Sequence, residues 1–239
     1  MIKNQFRIFG SIAIVLLLHG QDLRAQFGTI SISAGASYFQ PLGALNGRFL
    51  STVGGSFHVA DLSGSDPTWG MLVEYGSFQR ENRDKLFLTR KYSYGGKESE
   101  LRSPLTALQM ELSITGLSAT MDYSLYRIGF LEHQAGLAFG LYRWEFSREA
   151  YSDTLKAITT TGPLVVDIPK VPPSKQLDWS GGVGLGTNLV LHLASPLSVT
   201  IGVKYKIIIG ELWPALSLDM ENVSTLQMLD LRIGVRADF

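Results

Sequence analysis

The chain has 239 residues, 21 basic and 21 acidic, no cysteine and 45% hydrophobic residues. That length allows one sizeable domain or two small ones. A net charge of zero gives a nucleic acid little to hold, and the lack of cysteine excludes a disulfide framework, a thiolate metal site and a lipoprotein attachment residue.

The first segment reads apart from the rest. Lys3 and Arg7 precede an apolar run from Ile8 to Leu18, and Ala25 offers a small-residue cleavage point. The run is shorter than the ~20 apolar residues of a membrane-spanning helix. Residues 1–25 are therefore expected to be a cleaved signal peptide and residues 26–239 the mature domain. Cleavage leaves a formal charge of −2 and no later stretch long enough for a transmembrane helix. An exported chain of this kind can span a membrane only with strands.

The mature sequence alternates with the period of two that a strand imposes. "TISISAGASY" sets Ile30, Ile32, Ala34, Ala36 and Tyr38 against Thr29, Ser31, Ser33 and Ser37. From Val53 to Ala60 the alternation is weakest, with Phe57 and Val59 outward and Ser56 and His58 inward. "WGMLVEYGSF" sets Trp69, Met71, Val73 and Tyr75 against Gly70, Leu72, Glu74 and Gly76, and "GLSATMDYSLY" sets Leu117, Ala119, Met121, Tyr123 and Leu125 against Ser118, Thr120, Asp122 and Ser124. Upstream of Gly116 the apolar positions become the even ones, Leu108, Met110, Leu112 and Ile114, which predicts a bulge at Thr115 or Gly116. In "HQAGLAFGLYRWEF" the apolar side carries Ala135, Leu137, Phe139 and Leu141, and past Leu141 the large residues shift to Tyr142, Trp144 and Phe146. Both phase changes are read as strands running on beyond an apolar zone.

Three strands follow. "LDWSGGVGLGTNLVLHL" opposes Trp179, Val183, Leu185, Leu189, Leu191 and Leu193 to a face rich in Gly182, Gly184 and Gly186. "SVTIGVKYKIII" opposes Val199, Ile201, Val203, Tyr205, Ile207 and Ile209 to Thr200, Gly202, Lys204 and Lys206. The chain ends in "LDLRIGVRADF", with Leu229, Leu231, Ile233, Val235, Ala237 and Phe239 on an expected lipid face and Asp230, Arg232, Gly234 and Arg236 on the other.

Connections alternate in length: short near 63–68, 127–132 and 195–197, long near 39–52, 79–104, 149–176 and 211–224. The fold expected is all-β, an eight-stranded antiparallel up-and-down transmembrane β-barrel with both chain ends on the short-turn side. "LFLTRKYSY" and "LWPALSLDM" could raise the count to ten, but the loop alternation argues for eight. Alternation alone does not say which face is inside, because a soluble ligand-binding barrel and a membrane barrel assign the faces oppositely. The non-apolar face here is rich in glycine and sparse in charge, as suits a narrow lumen rather than a solvated surface. Aromatics are expected to girdle both rims: Trp69, Tyr123, Tyr126, Phe130 and Phe239 at the short-turn end, Trp144, Phe146, Trp179 and Trp213 at the other.

This combination resembles the small outer-membrane β-barrel proteins of Gram-negative bacteria, the OmpX-like, OmpA-barrel-like and PorT-like group. The resemblance implies location in the outer membrane and a terminal recognition signal for the barrel-assembly machinery, carried here by Arg232, Gly234, Ala237 and Phe239, with Ala237 a weak occupant. It implies an architecture and leaves the activity open.

No catalytic, cofactor-binding or metal site is expected. His58, with Asp61 and Ser63 three and five residues on, lacks a triad's reach along one strand, where such residues lie ~10 to 17 Å apart. The lumen charges Glu74, Asp122, Lys204, Lys206, Asp230, Arg232 and Arg236 are expected to pair and plug the barrel. The protein is then a monomer in membrane lipid with a structural or surface-interaction role, its long loops offering binding surface. A narrow path for ions or small solutes, an accessory role in a secretion system and a lipid-modifying enzyme are the alternatives.

Overall fold

The computed structural model describes residues 29–63 and 66–239; the expected signal peptide lies outside them. Eight strands close a barrel: β1 (Ile30–Pro41), β2 (Thr52–Asp61), β3 (Thr68–Phe78), β4 (Met110–Ile128), β5 (Leu131–Arg148), β6 (Ser174–Ala194), β7 (Leu197–Ile208) and β8 (Leu226–Asp238). Each strand pairs antiparallel with its neighbours in sequence, and β8 returns to β1. The closing seam runs from Ser31 opposite Asp238 to Pro41 opposite Met228, and Ile30 and Phe239 exchange backbone hydrogen bonds of 3.2 and 2.8 Å beyond it. Closure leaves no unpaired edge, which a lipid environment requires.

Strand lengths are uneven. β4, β5 and β6 have 19, 18 and 21 residues, while β2 and β3 have 10 and 11. About 9–11 residues span a bilayer, so the long strands stand well clear of it on the side of the long connections.

This extension corrects the expected bulge. Thr115 and Gly116 pair in unbroken register with Tyr75 and Glu74 on one side and with Arg143 and Tyr142 on the other. Met110, Leu112 and Ile114 share an inward face with Gly116, Ser118, Thr120 and Asp122, and all but the glycine carry buried side chains. The apolar residues change parity because the interior changes chemistry along the barrel axis while the strand continues straight. The irregularity in β4 lies instead between Ser124 and Tyr126.

The outer half of the barrel is consequently filled by an apolar core built on Phe39, Phe49, Phe78, Tyr142, Trp144 and Phe146. Trp144 and Phe146, 2% and 0% exposed, are core residues and not part of a girdle. Trp179 and Trp213 are exposed, as are Trp69, Tyr123, Tyr126 and Phe130 at the other rim. Phe239 is 8% exposed, and Ala237 is buried between cross-strand neighbours Leu197 and Ile32, so on the expected lipid face of β8 Leu231, Ile233 and Val235 are exposed and Leu229 is half-buried.

The long connections carry structure of their own outside the barrel. Phe87–Tyr94 pairs with Lys97–Pro104 across a turn in which Gly95 and Gly96 have φ of +61° and +75°, values that glycine adopts without Cβ strain. Leu155–Thr159 pairs with Gly162–Asp167 in a second hairpin. "LFLTRKYSY" thus forms an accessory hairpin, and "LWPALSLDM" holds a 3-10 turn at Leu216–Leu218, so neither adds a barrel strand.

Candidate functional site in the barrel lumen

The outer surface of the spanning zone is apolar. Leu117, Phe139, Leu185, Ile201, Ile233 and Val235 are all exposed, from five different strands. A contiguous belt of this kind faces lipid, because water would penalise it.

The interior reads as layers. Tyr142 sits where the apolar core meets the charged zone, its hydroxyl 3.1 Å from Ser118 Oγ. Its ring occupies the space that side chains would take at Gly116 and Gly182, where an added Cβ would come within 2.6 Å of ring carbons on either side. The lumen glycines thus trade side chain for room.

Below Tyr142 lies a quartet of ions. Lys206 contacts Glu74 directly and approaches Asp230 at 2.8 Å, and Arg232 approaches Asp230 at 2.9 Å and Glu74 at 3.4 Å. Two carboxylates and two cations cancel, and each group meets both opposite charges, the arrangement that makes buried charge tolerable. The Phe39 ring centroid lies 4.9 Å from Lys206 Nζ and covers the ammonium from the apolar side.

The other expected lumen charges do not join this quartet. Asp122 accepts a hydrogen bond from Asn188 Nδ2 at 3.1 Å, and Arg236 pairs with Asp238 at 2.7 Å near the chain end. Lys204 is buried and forms no ion pair or hydrogen bond among the described residues. The physical reason is spacing: residues two apart on a strand lie ~7 Å apart along the barrel, so the seven charges fall on different levels. Lys204 and Asp122 instead share the wall of a cavity of about 50 Å³, together with His58, Thr120, Arg232 and Arg236.

Gly234 faces the lumen opposite Gly35, where close backbone approach leaves no space for a Cβ. Arg232 belongs to the quartet, and Ala237 and Phe239 close the seam, so the four residues of the expected terminal signal are spread from the lumen to the rim.

The histidines lie in two separate places. His58 meets Thr120 Oγ1 at 2.7 Å, while Asp61 accepts from Ser63 locally. His192 joins Glu132 through Nε2 and Ser198 through Nδ1, both at 3.0 Å, bridging β5, β6 and β7. Sequence reasoning missed this chain of groups because its members lie on three strands; the direct pairing of Ser198 with His192 could have been found only from the β6–β7 register. Ser198 is 2% exposed and lies outside the wall of that cavity, and the three groups tie β5, β6 and β7 together at the short-turn rim.

At the far end, Arg90 gathers three connections. Its guanidinium reaches Asp167 at 2.6 Å, Asp219 at 2.9 Å and the Ser217 carbonyl at 2.5 Å. Burial acts to lower the Arg90 pKa, but the hydrogen bonds and charges of Asp167 and Asp219 outweigh it and hold it above the usual arginine value. Arg48 ties the first long connection to the last by donating to the carbonyls of Trp213 and Glu221 at 3.2 and 2.5 Å. Burial, reinforced by the nearby Arg148, pushes its pKa down to about 10.

No protein-family model matches the chain, and no curated protein does. Among solved structures it is similar to a major outer membrane protein from Thermus thermophilus, with a TM-score of 0.51 at 12% identity over 88% of this chain and 99% of that one. It is also similar to Neisserial surface protein A, with a TM-score of 0.47 at 15% identity over 89% and 99%. A third similar structure is the attachment invasion locus protein of Yersinia pestis, with a TM-score of 0.43 at 9% identity over 89% and 99%. The chain has the fold of the eight-stranded outer-membrane β-barrels.

Proposed function

We propose that the protein is an integral outer-membrane barrel in which the sealed barrel is a scaffold and the outer loops do the work, in a structural or surface-interaction role. The observation that carries this reading is the filling of the lumen: an apolar core packs the outer half and the Glu74–Lys206–Asp230–Arg232 quartet lies beneath it. A conducting path needs continuous wetted space, and an eight-stranded barrel has little to spare. The loop platform, fixed by Arg90 and Arg48, presents a defined surface on a rigid base, where binding functions are commonly carried.

Conductance in planar lipid bilayers tests it. The folded chain should give no discrete current steps; reproducible single-channel steps would favour the narrow-path reading instead. Arg232, Gly234, Ala237 and Phe239 serve in this reading as the insertion signal for the barrel-assembly machinery, and the mature protein is a monomer in lipid.

A further inference from the structure

Two guanidiniums meet at the outer end of the apolar core, and no carboxylate pairs with either among the described residues. Arg148 is the inward residue that follows Phe146 on β5. Arg48 reaches the same place from the first long connection, its guanidinium carbon 5.7 Å from the centroid of the Phe146 ring. Arg148 lies close enough for its charge to act on Arg48, and the two residues are 7% and 4% exposed. The buried Lys206 and Arg232 of the lumen quartet, by contrast, each meet two carboxylates.

The nitrogens of the pair are also short of acceptors. Arg48 donates through Nη2 to the carbonyls of Trp213 and Glu221, but its Nη1 is sealed from solvent and has no partner. Nε of Arg148 is sealed and partnerless in the same way. Glu81, whose backbone runs beside Arg48, directs its carboxylate to the Met110 N–H at 2.9 Å and to Arg83 at 3.9 Å. Even with its pKa lowered to about 10, Arg48 is cationic at neutral pH. Water would satisfy an N–H but would leave two like charges uncompensated in a buried place, whereas an anion supplies both acceptor and charge. The planar guanidinium fork matches the oxygens of an oxyanion.

We propose that Arg48 and Arg148 bind one free inorganic oxyanion of the phosphate class beneath the loop platform. The ion ties the first long connection, and through the Arg48 contacts the last one, to the end of β5. The two sealed nitrogens lie under these connections, so the ion enters as the platform opens and is enclosed as it closes. A free ion is the occupant because Arg48 is too deeply covered for the body of a larger molecule to follow.

The test uses the full mature chain folded in a sugar-based detergent, with inorganic phosphate titrated by calorimetry in a chloride-poor buffer. The wild type should show one saturable site, and phosphate should slow hydrogen exchange in residues 42–51 and 212–221. Arg148→Met removes no side-chain ion pair present among the described residues, and it should weaken binding roughly tenfold or more through loss of a charge-assisted contact. Lys97→Met, at an exposed cation on an accessory hairpin, should bind as the wild type does. Glycerol phosphate should not compete. Heat-modifiable gel migration establishes that both variants are folded barrels. Absence of saturable phosphate binding in the wild type overturns the proposal, as does equal binding by folded Arg148→Met or an equal loss in folded Lys97→Met. Glycerol phosphate binding as tightly as the free ion would overturn the enclosed free ion. Neither result bears on the sealed-barrel reading, which conductance tests separately.

Discussion

Lys206 Nζ lies 2.8 Å from an Asp230 carboxylate oxygen, and both side chains are 1% exposed. The two residues stand on adjacent strands, β7 and β8, two residues from being direct cross-strand partners, since Lys204 is the residue opposite Asp230. Reaching diagonally, the long Lys206 side chain meets Asp230 on the closing strand and Glu74 on β3 across the lumen, a link that Arg232 of β8 also makes to Glu74. Removing only the cation should therefore leave two buried carboxylates sharing Arg232. Lys206→Met is expected to destabilise the folded barrel by about 3–5 kcal/mol, the range for breaking one partner of a buried pair. Denaturant titration in micelles measures it, and an effect near zero would mean that the quartet contributes little to stability.

Tyr142 separates that quartet from the apolar core, and it does so by filling the gaps over two glycines. A Cβ at Gly182 would stand 2.6 Å from Tyr142 Cε2 and 3.0 Å from the Ile207 carbonyl oxygen, so neither a side chain nor the backbone can yield cheaply. Gly182→Val should cost about 1–3 kcal/mol or more through overpacking. Gly181→Val, where no atom lies within 4 Å of an added Cβ, is the control and should fold as the wild type does. The comparison is read from folded fractions on unboiled gels.

Much of this was legible in the sequence and some of it was not, for a physical reason. Alternation reveals two faces, so the strands around Ile201, Leu185 and Ile233 and the count of eight could be read directly. It is blind to a change of chemistry within one face. Met110, Leu112 and Ile114 above Ser118 and Asp122, and Trp144 and Phe146 beyond Ala138, look like a slipped register or a rim when they are a continuous inward row passing from a polar to an apolar layer. Pairing among the lumen charges was equally out of reach. Lys204 and Lys206 are chemically identical and two residues apart, yet Lys206 meets two carboxylates and Lys204, although opposite Asp230 in register, meets none among the described residues, a difference of side-chain reach that alternation does not record.

Arg90 joins the two accessory hairpins to the last long connection, and its contacts with Asp167 and Asp219 are only partly shielded from water. Each such pair contributes little on its own, on the order of 1 kcal/mol or less. Arg90→Ala should leave the barrel's thermal unfolding nearly unchanged while loosening the platform. Hydrogen exchange should speed up in residues 87–104, 155–167 and 212–220 and stay as in the wild type in β4 to β7. Exchange unchanged from the wild type in those residues would show that the platform is held by its apolar contacts instead.

The final prediction concerns the end of the chain. Phe239 is bonded to Ile30 through both its backbone groups, so it forms the last rung of the seam, while its ring is largely buried. Loss of this rung removes two hydrogen bonds from a seam whose register already pairs eleven residues. At roughly 0.5–1.5 kcal/mol each, their loss does not prevent closure. Deletion of Phe239 should therefore still permit refolding into micelles, with a heat-modifiable band. In cells the same deletion should sharply reduce the folded fraction in the membrane if the terminal residues are read by the assembly machinery. Equal impairment in both settings would assign Phe239 a structural role alone, and equal success would remove the terminal signal from the reading altogether.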